Sequence, residues 1–95
     1  MEIKVQSIHF EADQKLIDFV EEKLNKLTQY YDKIILGDVF LKLEPSDREN
    51  KVAEIKLSIP GKDLFAKKQC KSFEEATDEA VEALRRQINK HKSKK

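Results

Sequence analysis

The C-terminal end of this 95-residue chain carries its most distinctive chemistry. Six Lys and Arg and no Asp or Glu occur from Arg85 to Lys95, which gives this stretch a charge of +6. The preceding residues hold the other 13 of the 19 bases and all 18 acids, so they sum to −5 although the net charge is only +1. A basic end on an acidic body is typical of proteins that contact nucleic acid or another anionic surface.

The chain offers few groups for catalysis. His9 and His91 lie far apart in sequence, and the single Cys70 has no neighbouring His or Asp at the spacing of a nucleophile and its base. Two His and one Cys are too few for a four-ligand metal site, and neither glycine belongs to a phosphate-binding loop. We therefore expect no enzymatic activity, catalytic residue, metal, cofactor or small-molecule substrate. Cys70 is best explained as a small buried hydrophobic residue.

Individual bases differ in whether an acid lies at helical spacing. Lys26 and Arg86 each have a Glu four residues earlier, so both are expected to form ordinary surface ion pairs. Lys23 and Lys90 have no acid three or four residues away, and Lys23 also lies within the apolar arc of its predicted helix. Lys23 and Lys90 are therefore expected to be unpaired.

A third set of lysines surrounds the predicted fourth strand and would extend the basic surface: Lys62, Lys67, Lys68 and Lys71. Phosphate is the expected partner, because each contact releases counterions and adds affinity. The aromatic residues fall mostly at core-phase positions, so base stacking is not expected to be the main mode of binding. Recognition of folded or double-stranded RNA by shape and phosphate fits better.

Hydrophobic spacing predicts the elements that position these bases. Alternating apolar residues predict strands over residues 3–8, 35–44 and 53–59, and a shorter, weaker strand over 64–70. A 3.6-residue apolar period predicts a helix that Asp13 caps and that continues to about Tyr31. The capping box Ser72-Phe73-Glu74-Glu75 begins a second helix.

The resulting order, β-α-β-β-β-α, predicts an α+β fold in which two helices pack on one face of a four-stranded sheet. The other face, with Lys4, Lys42, Lys56 and Lys67, should contact water. Residues 1–92 are expected to form one domain, followed by a frayed basic tail at 93–95. No apolar run could span a membrane, no signal peptide is recognised, and one unpaired cysteine suits a reducing compartment, so we expect a cytoplasmic protein.

Two runs of residues resemble the ribosome hibernation-promoting factor family, which is related to the ribosome-associated inhibitor and sigma-54 modulation proteins. Lys23-Leu24-Asn25-Lys26-Leu27-Thr28-Gln29-Tyr30-Tyr31-Asp32-Lys33-Ile34 is similar to the family run K-x-x-K-L-x-x-Y-[FY]-[DE]-[KR]-I. The run Leu84-Arg85-Arg86-Gln87-Ile88-Asn89-Lys90-His91-Lys92 is similar to the R-Q-[LI]-x-K-[HY]-K helix end of the family. The resemblance covers essentially the whole chain, although Phe73-Glu74 stands where many members have two bulky apolar residues.

The resemblance implies a double-stranded-RNA-binding-like fold and a function in translation regulation under stress and in stationary phase. Such a protein would bind rRNA in the mRNA/tRNA channel of the small ribosomal subunit, keep idle ribosomes inactive, and be a monomer off the ribosome. The RNA-binding residues are then expected to be Lys23, Lys26, Arg85, Arg86, Lys90, His91 and Lys92. A protein-interaction module with a basic tail and a generic double-stranded RNA binder are the alternatives.

Overall fold

A computed structural model describes residues 1–45 and 48–93 of the chain. Its helices and strands are β1 (Glu2–Ile8), α1 (Gln14–Asn25), β2 (Leu36–Leu43), β3 (Lys51–Ile59), β4 (Lys62–Cys70) and α2 (Phe73–Lys92). A short 3₁₀ helix over Lys26–Gln29 follows α1. The predicted element order and the α+β class are confirmed, whereas the likeness to double-stranded-RNA-binding domains stays a prediction.

The four strands form one sheet in the order β1-β2-β3-β4. β1 runs parallel to β2, and the other two pairs are antiparallel. The expectation of a shorter, weaker fourth strand is wrong, because β4 has nine residues and pairs with β3 from Lys62 to Cys70. The turn at Gly61, whose φ of 86° suits glycine, sets this register, so backbone pairing extends β4 beyond its few apolar residues.

The predicted capping residues begin both helices. The Asp13 carboxylate accepts a hydrogen bond from the Leu16 N–H at 2.9 Å, and the Ser72 hydroxyl accepts one from the Glu75 N–H at 3.1 Å. β1 ends as predicted at Ile8, where the chain turns through a left-handed His9 with a φ of 69°. These local signals therefore place the starts of both helices correctly.

The end of α1 differs from the prediction, because the α-helix stops at Asn25 and tightens into the 3₁₀ helix. The Thr28 hydroxyl donates to the Asn25 carbonyl oxygen at 2.7 Å, and the Tyr30 N–H bonds to the Leu27 carbonyl at 3.0 Å. Side-chain bonds of this kind compete with the α-helical pattern. The tighter turn keeps Leu27 in the core and leaves Tyr30 at the surface.

Both helices pack on the same face of the sheet and run in the same direction. The ring of Phe10, just before α1, stacks on that of Phe73 at the start of α2 with 4.7 Å between centroids. At the other end, Lys92 of α2 hydrogen-bonds to Tyr30, beyond the 3₁₀ helix. The C-terminal ends of α1 and α2 therefore lie at the same end of the molecule.

Close packing joins α1 to the sheet at Gly37 of β2. A Cβ atom there would lie 2.8 Å from Leu24 Cδ2 and 3.2 Å from Met1 Sδ. Leu24 is fully buried in the single hydrophobic core between the helices and the sheet. Glycine at this position thus permits the helix to approach the strand.

The open face of the sheet is mostly polar, as predicted. Lys4, Lys56 and Lys67 are exposed, whereas Lys42 is half-buried and its Nζ lies 2.9 Å from Glu54 Oε2. Val52 is buried on this face, outside the main core.

Within residues 1–45 and 48–93, no helix is long and apolar enough to cross a membrane. Lys94 and Lys95 of the predicted tail lie outside the described residues.

Candidate nucleic-acid interface

A groove runs between the C-terminal part of α1 with its 3₁₀ extension and the middle of α2. We call it the helix groove, and its lining residues are Lys23, Lys26, Leu27, Tyr30, Asp78, Val81, Glu82 and Arg85. Three of the seven residues that were predicted to bind RNA, Lys23, Lys26 and Arg85, therefore line the same groove. Each wall of the groove comes from a different helix.

Lys23 has an acidic partner across this groove. Its Nζ lies 3.0 Å from Asp78 Oδ1 and 5.4 Å from the centroid of the Phe19 ring. The prediction that Lys23 is unpaired is wrong, because its partner belongs to the other helix. The side chains of Lys23 and Asp78 are 30% and 51% exposed, so the pair contributes only about 0–1 kcal/mol to stability. A phosphate could replace the carboxylate at small cost.

Arg85, rather than Arg86, pairs with Glu82. The Arg85 Nε donates to Glu82 Oε1 at 3.1 Å, and Nη2 donates to the same oxygen. These hydrogen bonds lower the pKa of the Glu82 carboxyl group. The predicted Arg86 and Lys26 ion pairs are absent: neither base forms a salt bridge among the residues that the structure describes. Arg86 and Lys26 are both exposed and available to an external anion.

A second depression lies where the two helices end, and we call it the helix-end pocket. It is lined by Thr28, Gln29, Tyr30, Tyr31, Asp32, Lys33, His91 and Lys92. The Tyr31 and His91 rings meet edge to face with centroids 5.8 Å apart. Lys92 Nζ donates to the Tyr30 carbonyl oxygen at 2.6 Å, which satisfies an acceptor beyond the 3₁₀ helix. His91 and Lys92 thus stabilise this end of the fold and also place polar groups in the helix-end pocket.

Lys90 lies on the opposite side of α2 from the helix groove, beside β4. It lines a small depression with Lys62, Leu64, Gln87 and His91. Gln87 Nε2 donates to the Phe65 carbonyl oxygen at 2.8 Å and so joins α2 to β4. Lys90 forms no salt bridge within the described part of the chain, in agreement with the prediction.

The lysines around β4 do not form one surface with the helix ends. Lys62 lies beside Lys90, but Lys67 is on the open face of the sheet with its Nζ 3.8 Å from Glu54 Oε2. Successive residues of a strand point to opposite faces, so this set could not be continuous. Lys62 extends the basic surface of the helix ends, whereas Lys67 lies on the other face of the sheet.

Cys70 is buried, as predicted, but it is also a hydrogen-bond donor. Its Sγ lies 3.4 Å from Glu79 Oε2, and the Glu75 carboxylate lies close enough to complete a small cluster. Burial and the Glu79 carboxylate raise the pKa of the Cys70 thiol to about 12. The thiol therefore stays protonated near neutral pH and is a poor nucleophile.

Sequence reasoning missed Tyr30 as a surface residue of this region. Tyr30 lines both the helix groove and the helix-end pocket, and 42% of it is exposed. The guanidinium carbon of Arg85 lies 5.6 Å from the centroid of the Tyr30 ring. The helical period alone gives no sign of this exposure, because the change to a 3₁₀ helix alters the direction of the residues that follow.

Comparison with known proteins identifies the family. The profile of the "Sigma 54 modulation protein / S30EA ribosomal protein" family matches residues 3–95. A ribosome hibernation promoting factor from Pseudomonas putida is 33% identical over 94 residues, which cover 99% of this chain and 89% of that protein.

Two solved structures share the fold. The N-terminal domain of Thermus thermophilus Protein Y has a TM-score of 0.84 at 28% identity and covers 96% of this chain and 99% of that one. A ribosomal subunit interface protein from Coxiella burnetii has a TM-score of 0.89 over 99% of this chain and 100% of that one. Its 19% identity supports the fold alone. The resemblance in the two motif runs is confirmed: the chain belongs to the Sigma 54 modulation protein / S30EA ribosomal protein family.

Proposed function

We propose that the protein is a ribosome-binding translation inhibitor that binds small-subunit rRNA in the mRNA/tRNA channel and keeps idle ribosomes inactive. Its membership of the family and the name of its Pseudomonas putida relative support the association with hibernating ribosomes. The observation that carries the RNA-binding part is the gathering of bases around the C-terminal ends of two parallel helices. The RNA-binding residues in this proposal are Lys23, Lys26, Arg85, Arg86, Lys90, His91 and Lys92.

Five of these seven residues fall into two groups with different roles in binding. Lys26, Arg86 and Lys90 form no salt bridge among the described residues, so a phosphate can approach them without breaking an existing pair. Lys23 and Arg85 must exchange a carboxylate for a phosphate, which costs little because both pairs are partly exposed. The first group should therefore contribute most of the electrostatic affinity.

The charge distribution also restricts the orientation of binding. Residues 1–84 sum to −5, so a polyanion is attracted to the helix ends and repelled by much of the remaining surface. An RNA surface must therefore present its phosphates to one end of this small domain. This requirement favours a specific docking site over binding along any duplex.

Co-sedimentation with purified ribosomes and isolated small subunits at several salt concentrations tests the proposal. The triple variant Lys26→Ala, Arg86→Ala, Lys90→Ala should lose most of the binding. If all three contact phosphates, the slope of log affinity against log salt should fall in magnitude by roughly 2 to 3.

A matched control removes three lysines from the open face of the sheet: Lys4→Ala, Lys56→Ala, Lys67→Ala. This variant has the same net charge as the first and should keep nearly all of its ribosome binding. Equal losses in the two triple variants would contradict the proposed site. A captured partner that survives nuclease treatment would indicate a protein-interaction module, and equal affinity for a plain RNA duplex would indicate a generic duplex binder.

A further inference from the structure

We propose that Tyr30 is a stacking site for an unpaired nucleobase. This inference rests on the proposed RNA-binding function and specifies the chemical class of its ligand. The exposed large hydrophobic side chains of the described residues are Tyr30, Ile35, Leu43 and Phe65. Tyr30 alone among these four lines the helix groove, where the surrounding bases would bring RNA.

The setting of the Tyr30 ring suits a nucleobase. The Arg85 guanidinium carbon lies 5.6 Å from the ring centroid, yet 42% of Tyr30 stays exposed. Aromatic rings and guanidinium planes are the groups on which proteins stack unpaired RNA bases. Lys26 lies in the same groove and Lys92 in the adjoining helix-end pocket, so each depression that Tyr30 lines also contains a cation. A base on Tyr30 could therefore keep its neighbouring phosphates close to cations.

The Tyr30 backbone is held in place before any RNA binds. Its N–H donates to the Leu27 carbonyl at 3.0 Å, and its carbonyl accepts from Lys92 Nζ at 2.6 Å. Leu27 is 1% exposed and anchors this turn in the core. Little conformational freedom would be lost on binding, which favours affinity. The neighbouring Tyr31 is less accessible to a nucleobase, because its half-buried ring packs against His91.

Stacking on Tyr30 requires a base that is outside a continuous helix. Within a duplex, both faces of each base are covered by its neighbours, and side chains reach only phosphates, sugars and groove edges. The proposal therefore predicts a preference for RNA with a bulged or looped base over plain duplex RNA. Phosphate contacts alone would give no such preference.

The test compares two RNA probes: a plain duplex, and the same duplex with one bulged 2-aminopurine nucleotide. The wild-type protein should bind the bulged probe more tightly and quench its fluorescence. Tyr30→Leu should weaken binding of the bulged probe about 5- to 150-fold, the range measured when a stacking side chain is removed. Tyr30→Leu should leave plain duplex binding nearly unchanged, whereas Tyr30→Phe should keep both the affinity and the quenching.

Phe65→Leu provides the matched control, because Phe65 is an exposed aromatic residue on the open face of the sheet. Circular dichroism checks that all variants fold. Equal weakening of both probes by Tyr30→Leu, or no weakening, would overturn the stacking site. So would a wild-type protein that binds neither probe or shows no preference between them. Ribosome co-sedimentation of the same wild-type sample then shows independently whether the proposed function stands.

Discussion

Replacing Asp78 with Asn should strengthen binding of the protein to ribosomes. In the free protein the Asp78 carboxylate lies 3.0 Å from Lys23 Nζ. A phosphate oxygen that replaces this carboxylate on Lys23 would still lie within about 6 Å of it, where two like unit charges in water repel by about 0.7 kcal/mol. Asparagine has nearly the same shape without the charge. The dissociation constant should therefore fall about threefold.

The variant should stay folded, because an exposed ion pair of this kind contributes at most about 1 kcal/mol. Titration of ribosomes with fluorescently labelled protein measures the effect, which should shrink as added salt screens the carboxylate. Asp38→Asn, on the open face of the sheet, makes the same change in net charge at a distance from the groove. Weaker binding by Asp78→Asn would refute the reasoning and show that the carboxylate positions Lys23. An equal gain in Asp38→Asn would show that net charge alone is responsible.

Three further predictions concern stability. Gly37→Ala should lower the free energy of unfolding in urea by about 1–3 kcal/mol, because its Cβ would overlap the buried Leu24; an unchanged value would mean that the core relaxes. The pKa of Cys70 is raised from 9.0 to about 12 in the folded state, so the folded protein binds the proton more tightly. Its contribution to stability should be complete below pH 9 and decline between pH 9 and 12, and Cys70→Ala should remove this part of the decline in urea unfolding. Ser72→Ala should cost about 1 kcal/mol in the same assay, whereas Lys71→Ala, which alters no helix cap, should cost much less.

The elements of the fold could be predicted because their signals are local. Alternation identified the strands, and the Asp13 and Ser72 caps marked the starts of both helices. The length of β4 could not be predicted from its own residues, since pairing with β3 extends it. The end of α1 was also missed, because the Thr28 hydroxyl bond and the tighter turn do not change the apolar pattern.

The candidate site could be predicted as a set of residues but not as a set of interactions. Helical spacing relates only residues of the same helix, so it could not identify Asp78 of α2 as the partner of Lys23 in α1. Helical spacing also led to the wrong partner for Glu82, Arg86 instead of Arg85, because contacts are possible at both three and four residues. The prediction for Lys90 succeeded because no acid from another element reaches it in the described structure.

Because the two walls of the helix groove come from α1 and α2, the groove exists only while these helices are packed together. An RNA bound across it favours the folded chain by mass action. Free RNA at a hundred times its dissociation constant adds about 2.7 kcal/mol to the free energy of unfolding, a large addition for a domain of this size. Protein on ribosomes should therefore resist proteolysis better than free protein, and digestion with and without ribosomes measures the difference. In a cell, the amount of this protein would then follow the number of ribosomes that it occupies.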